Sequence, residues 1–181
     1  IKRKSTTIST LSEKEQLEGA QQATIELITI IETFNVRHNR QATINRIHEL
    51  LEHGANPNAK NNKNKPILLL ATEKWQKEII TALLQYGANP DIQDDTFNSP
   101  LLEATHYNLA EIVSILLGAG ANPNIKDNKG NTPLRRALRL DHIKITNLLL
   151  NPDTWLINVN ILIFFIICHL KFTLQNQSQV C

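Results

Sequence analysis

The sequence predicts an all-α solenoid of stacked helix-turn-helix units with protruding turns or short hairpins. Three observations carry that prediction. The stretch Gly54-Ala55-Asn56-Pro57-Asn58 returns as Gly87-Ala88-Asn89-Pro90-Asp91 and as Gly120-Ala121-Asn122-Pro123-Asn124, at a constant spacing of 33 residues, and a fixed period of this size marks a stacked array. Apolar columns keep the same register: Leu68, Leu101 and Leu134; Ala71, Ala104 and Ala137; Leu83, Leu116 and Leu149; Leu84, Leu117 and Leu150. Each of the three glycines follows an apolar, helix-like run (47–53, 79–86 and 112–119), where a residue free to take positive φ ends a helix. Asn-Pro then drives the asparagine out of the helical region and sets up a turn, so the chain leaves every helix in the same direction.

Taken in order, residues 1–12 carry Lys2, Arg3 and Lys4 followed by Ser and Thr, and are expected as a basic disordered arm rather than a secretory signal, which would need a long apolar run. Ser12 and Glu15 have capping-box spacing, and Leu17, Ala20, Ala23, Leu27, Ile30 and Ile31 follow at helical intervals, which predicts a long amphipathic helix. A break over 35–39 precedes a second helix over about 41–53, with Ile44, Ile47, Leu50 and Leu51 on one face. From there each unit reads turn, short helix, short helix, turn. Alanines in the first helix let the second approach, and paired leucines in the second supply the apolar side that a unit buries on its neighbour.

After Leu150 the glycine column reads Asn151-Pro152-Asp153-Thr154 and an apolar tail follows, with the uninterrupted run Ile161-Leu162-Ile163-Phe164-Phe165-Ile166-Ile167-Cys168. Three readings fit it: a membrane anchor over 155–174, which would have to carry Asn158, Asn160 and His169 inside; packing over the open end of the last repeat; or a non-native, β-prone stretch.

Composition narrows the function classes. A net charge of +2 with 20% charged residues is too mild to imply nucleic acid, and 5% aromatic content gives little base-stacking surface. The only cysteines, Cys168 and Cys181, form no C-x-x-C pair, so a reducing, cytoplasmic compartment is expected. There is no methionine and the chain starts at Ile1, so a longer or processed product is expected. His48-Glu49-Leu50-Leu51-Glu52-His53 approaches the zinc-protease pattern, but the second histidine falls at i+5, about 140° around a helix from the first. No Ser or Cys partner stands at a recognisable spacing from His106 or His142, and each glycine of the repeat closes a helix instead of opening a phosphate loop. No enzyme, metal or cofactor is expected.

Asn131-Thr132-Pro133-Leu134 followed by Ala137, and Ser99-Pro100-Leu101 followed by Ala104, Leu116-Leu117 and Gly120-Ala121-Asn122, resemble the ankyrin repeat. The resemblance implies an array over 13–153, with an irregular N-terminal cap (13–40), repeats 41–65, 66–98 and 99–131, an incomplete repeat 132–150, and the tail 154–181. It departs from the family pattern at Leu69, Leu102 and Arg135, where T-P-L-H has histidine, and at Pro66 and Ile67 in the Thr-Pro columns. The family binds partners with turn tips and first-helix residues. Carried over by column, these are Lys60, Asn62, Lys63 and Lys65; Gln93, Asp95, Thr96 and Asn98; Lys126, Asn128, Lys129 and Asn131; and, on the first helices, Glu73 and Lys74, His106 and Tyr107, Arg139 and Leu140. The resemblance implies a non-enzymatic protein-binding module acting as a monomer, in the cytoplasm of its own or of a host cell. The alternative is a membrane-tethered scaffold held by 155–174. The cluster Arg135, Arg136, Arg139 and Lys144 suggests an acidic partner on the groove side.

Overall fold

The computed structural model describes residues 5–34 and 40–150. They form eight helices: α1 (Ser5–Thr33), α2 (Arg40–Glu52), α3 (Ile67–Glu73), α4 (Lys77–Gln85), α5 (Pro100–His106), α6 (Ala110–Gly118), α7 (Pro133–Arg139) and α8 (Ile143–Leu150). Among the described residues there is no strand, only an antiparallel bridge between Lys60 and Pro66 at the first tip. Consecutive helices pair, the odd-numbered helices pack in one row and the even-numbered in a second. The predicted solenoid is therefore present. The helix expected as a cap, α1, occupies the odd-row place of the first pair, burying Ala23, Leu27 and Ile31 and packing against both α2 and α3.

One expectation is corrected. Helix α1 begins at Ser5, so residues 5–12 of the expected disordered arm belong to it. They contain neither Gly nor Pro, and a helix already nucleated downstream extends at the cost of ordering one residue per added hydrogen bond. Ser12 therefore lies within the helix and not at its cap. Residues 1–4, the break over 35–39 and the tail 154–181 lie outside the described residues.

The odd-row helices α3, α5 and α7 have seven residues each, too few to persist alone. Stacking sustains them. Leu68, Ala71, Leu101, Ala104 and Ala137 in the odd row and Ile79, Ile80, Leu83, Val113 and Leu116 in the even row are at most 4% exposed and belong to one continuous core. Leu69 and Leu102, the departures from the family histidine, are also fully buried, so the change replaces a polar group with apolar packing. Buried Thr72 and Thr105 return their hydroxyls to the Leu68 and Leu101 carbonyls at 2.8 and 2.7 Å, which removes the penalty of burying them.

Left-handed residues recur in three columns, each spaced by 33. Gly54, Gly87 and Gly120 (φ 85 to 87°) end the even-row helices; Trp75, Asn108 and Asp141 (φ 56 to 57°) end α3, α5 and α7; Asn64, Phe97 and Gly130 turn the tips. Both helix ends of a unit close in the same way. The Gly87 N–H donates to the Leu84 carbonyl at 3.1 Å and Ala88 to Leu83 at 2.9 Å; Trp75 donates to Thr72 and Gln76 to Ala71, both at 3.0 Å. These paired bonds satisfy carbonyls that a helix end would otherwise orphan.

The asparagines of the periodic stretch do more than turn the chain. Within each copy the Asn56, Asn89 and Asn122 side chains accept from the N–H two residues on, at 2.9 to 3.0 Å. Between copies, the Asn89 N–H donates to Asn58 Oδ1 at 2.7 Å and the Asn122 N–H to Asp91 Oδ1 at 2.8 Å. The Asn56 N–H donates to Thr24 Oγ1 of α1 at 2.9 Å, which ties the first pair into the same ladder. Last come the starts of the odd helices: Ser99 and Thr132 cap α5 and α7 by accepting from the Leu102 and Arg135 N–H, whereas Pro66 gives α3 no side-chain cap.

Two substitutions test these closures. Ser99→Ala should lower stability by about 1 kcal/mol through loss of the cap. Gly87→Ala should lower it by about 1–2 kcal/mol through left-handed strain alone, since an added Cβ would meet nothing within 4 Å. Chemical denaturation of the full chain checks both, and unchanged midpoints would contradict the assignment of these closures.

Candidate partner-binding site

The tips are built by one column, Asn61, Asp94 and Asp127. In each, Oδ1 accepts from the backbone N–H two and four residues on: Lys63 and Lys65, Thr96 and Asn98, Lys129 and Asn131, at 2.8 to 3.0 Å. Neighbouring tips are then fastened side by side. Asn64 Nδ2 donates to Asp95 at 2.8 Å, and Gln93 Nε2 donates to the Phe97 carbonyl at 2.7 Å and across to the Lys126 carbonyl at 3.0 Å. The result is a row of loops whose backbone is fixed before any partner arrives.

Between the last two tips and helices α5 and α7 lies a cleft of about 360 Å³, lined by Thr96, Asn98, His106, Asp127, Asn128, Lys129, Asn131, Arg136 and Arg139. Seven of these are residues carried over by column from the sequence, and Arg136 belongs to the basic cluster noted there. Its floor is an ion pair, Arg136 Nη2 to Asp127 Oδ2 at 2.9 Å, with side chains only 13% and 9% exposed. Arg136 also donates to the Leu102 carbonyl at 3.0 Å and so joins α7 to α5. Burial opposes ionisation of Asp127, but the bonds from Asn131, Arg136 and Lys129 outweigh it and hold the carboxyl well below its ordinary range. Asp94 is lowered by the same balance: burial raises it, and the Thr96 hydroxyl and the Asn98 and Thr96 amides more than compensate.

From the cleft an aromatic strip runs along the turn ends. The His106 ring lies 4.8 Å from that of Tyr107, which lies 6.2 Å from Trp75 in the preceding unit. Trp75 is 57% and Tyr107 48% exposed. Trp75, and Phe97 at a tip, were not among the residues picked from the sequence. Their signal was present: each is a large aromatic in a column that otherwise carries Asn, Asp or Gly.

Several of the other chosen side chains already have structural partners. Lys65 pairs with Glu73 at 2.6 Å, Asn98 donates to Glu103 at 2.6 Å, Asn131 donates to Asp127, and Lys74 donates to the Glu32 carbonyl. Leu140 is half-buried. Lys60, Asn62, Lys63, Lys126, Asn128, Lys129 and Arg139 stand exposed along the tips and the cleft. The arginine cluster does not form one patch. Arg136 is consumed by Asp127, Arg139 faces the cleft, Lys144 lines a separate cleft with Arg40 and Trp75, and Arg135 occupies the column of buried Leu69 and Leu102 at the end of the stack. The metal-like hexapeptide is likewise taken up by packing: the His48 ring lies 5.7 Å from that of Tyr86 and Glu49 pairs with Arg46 at 2.8 Å. No described helix is long and apolar enough to cross a membrane, and residues 155–174 lie outside the described set.

Paired short helices in two rows, joined by protruding tips at a 33-residue period, define a repeat protein of the helix-turn-helix stacking class. The family model for ankyrin repeats, in three copies, matches residues 68–161, about half of the chain; the chain belongs to the ankyrin repeat family. No curated protein matches it. Ankyrin repeats are protein–protein interaction modules and typically non-enzymatic. The match begins after α1 and α2, although that pair stacks on the others in the same way.

The depressed carboxyl of Asp127 sets a pH dependence. Its contribution to stability is present above the ordinary aspartate range and is lost as pH falls below it. Asp127→Asn should therefore destabilise at neutral pH by about 1–3 kcal/mol and flatten the decline in stability below about pH 4. Urea midpoints across this range check it; parallel curves for variant and parent would exclude the role assigned to the ion pair.

Proposed function

We propose that the protein is a non-enzymatic binding module that grips one partner protein across the turn tips and the odd-helix face. The chief anchors are Trp75, Tyr107 and Arg139. The observation that carries this reading is the continuity of the His106–Tyr107–Trp75 strip with the polar cleft, since Trp, Tyr and Arg dominate interface hot spots. The tips are ordered by their own hydrogen bonds, so binding costs little loop entropy.

The exposed cations of the tips and cleft, Lys60, Lys63, Lys126, Lys129 and Arg139, outnumber the exposed acids there, of which Asp95 already accepts from Asn64. An acidic partner surface suits this balance, with association faster at low salt. A monomeric array leaves the whole row available.

Trp75 provides a test that separates folding from binding. It holds a left-handed φ of 57°, a costly conformation for a bulky residue, and the same column carries Asn108 and Asp141. Trp75→Asn should leave the melting temperature unchanged or raised, yet weaken capture of the partner by about tenfold. Partners are captured from lysate with the full chain, identified, and titrated against the parent, Trp75→Asn and Arg139→Ala. Undiminished affinity in both variants, with folding intact, would overturn the proposed site.

A further inference from the structure

The aromatic strip joins two clefts. His106 at one end lines the polar cleft beside the last two tips, and Trp75 at the other lines a second cleft, of about 620 Å³, walled by the first turns of α4, α6 and α8. Tyr107 bridges them, its ring 4.8 Å from that of His106 and 6.2 Å from that of Trp75. The two steps cover at most about 11 Å, the reach of three or four extended residues at ~3.3 Å each.

Each cleft also holds cations that no acid of the protein neutralises. In the polar cleft Arg136 is taken by Asp127, while Lys129 and Arg139 are exposed and have no ion pair among the described residues. In the second cleft Arg40 pairs with Glu78 at 2.5 Å and Lys77 with Glu111 at 2.9 Å. That leaves Lys144, which is exposed and likewise has no ion pair among the described residues. Lys74, next to Trp75 in the chain, is engaged by the Glu32 carbonyl, and Asp141, the exposed acid of the Trp75 column, lines neither cleft. The order along the edge is therefore free cation, aromatic strip, free cation.

We propose that this track holds an extended acidic segment of the partner, with acidic residues at both ends of an apolar stretch of about three or four residues. One acidic end meets Arg139 and Lys129, the other meets Lys144, and the stretch between lies on Tyr107 and Trp75. The assignment rests on the odd-row site already proposed and carries it round the turn edge to the even row. Proline suits the middle of such a segment, because it is extended in advance and docks on aromatic side chains. The two clefts open on different rows of helices, so a narrow segment can follow the edge where a broad acidic surface cannot. A nucleic-acid strand fits less well, since it carries a charge at every nucleotide and the free cations here stand beyond the ends of the strip.

An array of eight-residue peptides supplies the probes, each with Glu-Glu at both ends around a four-residue combination of Leu, Phe, Pro and Tyr. The full chain is bound to the array, and the tightest peptide is then titrated by fluorescence anisotropy beside two versions in which one Glu pair or the other is changed to Gln. Each change should weaken binding about fivefold. Lys144→Ala should weaken the doubly acidic peptide to the same extent and have no effect on one of the Gln versions; Arg139→Ala should behave in the same way toward the other version. Both side chains are exposed, so helical circular dichroism should be unchanged. Failure of every peptide to bind, or binding of oligo(dT) as tight as that of the best peptide, would overturn the proposal. Undiminished affinity in Lys144→Ala, with losses in Trp75→Asn and Arg139→Ala, would overturn the track round the edge and leave the odd-row site standing. Undiminished affinity in all three variants would remove both.

Discussion

The rungs between successive turns are the constraint on which the rest of the structure depends. Helices of seven to nine residues cannot hold themselves, and their apolar faces alone would let units slide or rotate. A backbone N–H from one turn meeting a side-chain oxygen from the previous one, twice at 2.7 and 2.8 Å, and from helix α1 at the first turn at 2.9 Å, fixes register as well as contact. Each rung contributes only about 1 kcal/mol net. Its effect is geometric: once the turns are locked, Asn61, Asp94 and Asp127 can shape the tips, and the Gln93 and Asn64 bridges can set them in a row.

Left-handed residues close both ends of each unit, and the sequence treats the two ends differently. After α2, α4 and α6 the closing residue is glycine, while after α3, α5 and α7 it is Trp, Asn and Asp. Asn and Asp visit this region at modest cost; Trp does not. A bulky aromatic held there, exposed and with its ring tilted against that of Tyr107, is strain placed on the surface proposed to meet a partner, and local strain retained at a surface is a reason to look for function.

Much of the fold was legible in the chain. The 33-residue spacing, the alanine and leucine columns and the three glycine stops located α2, α4 and α6 to within a residue or two and gave the alternation of short helices around them, because periodic burial and left-handed closure are local requirements written in residue type. The start of α1 was not legible, since Ser and Thr neither forbid nor demand a helix and its extension depends on the packed part downstream. The candidate site was read only in part. Column position placed seven residues in one cleft, but could not say that Lys65, Gln93, Asn98 and Asn131 would be engaged by neighbours, or that four nearby cations would divide among a buried ion pair, two clefts and the end of the stack. Those outcomes depend on side-chain geometry between units, which spacing alone does not encode. Trp75 and Phe97 were missed because the two turn columns they occupy otherwise carry Asn, Asp or Gly and were not read for their large, exposed members.

The central claim is that the rungs hold the tip row rigid. Backbone hydrogen exchange of the full chain, compared with Asp91→Ala, tests it most directly. The account predicts that protection falls about tenfold or more at the Asn122 amide, and that the loss spreads to the Lys129 and Asn131 amides of the adjoining tip while those of Lys63 and Lys65 keep theirs. Unchanged exchange at Asn122, or a loss confined to that one amide, would contradict it.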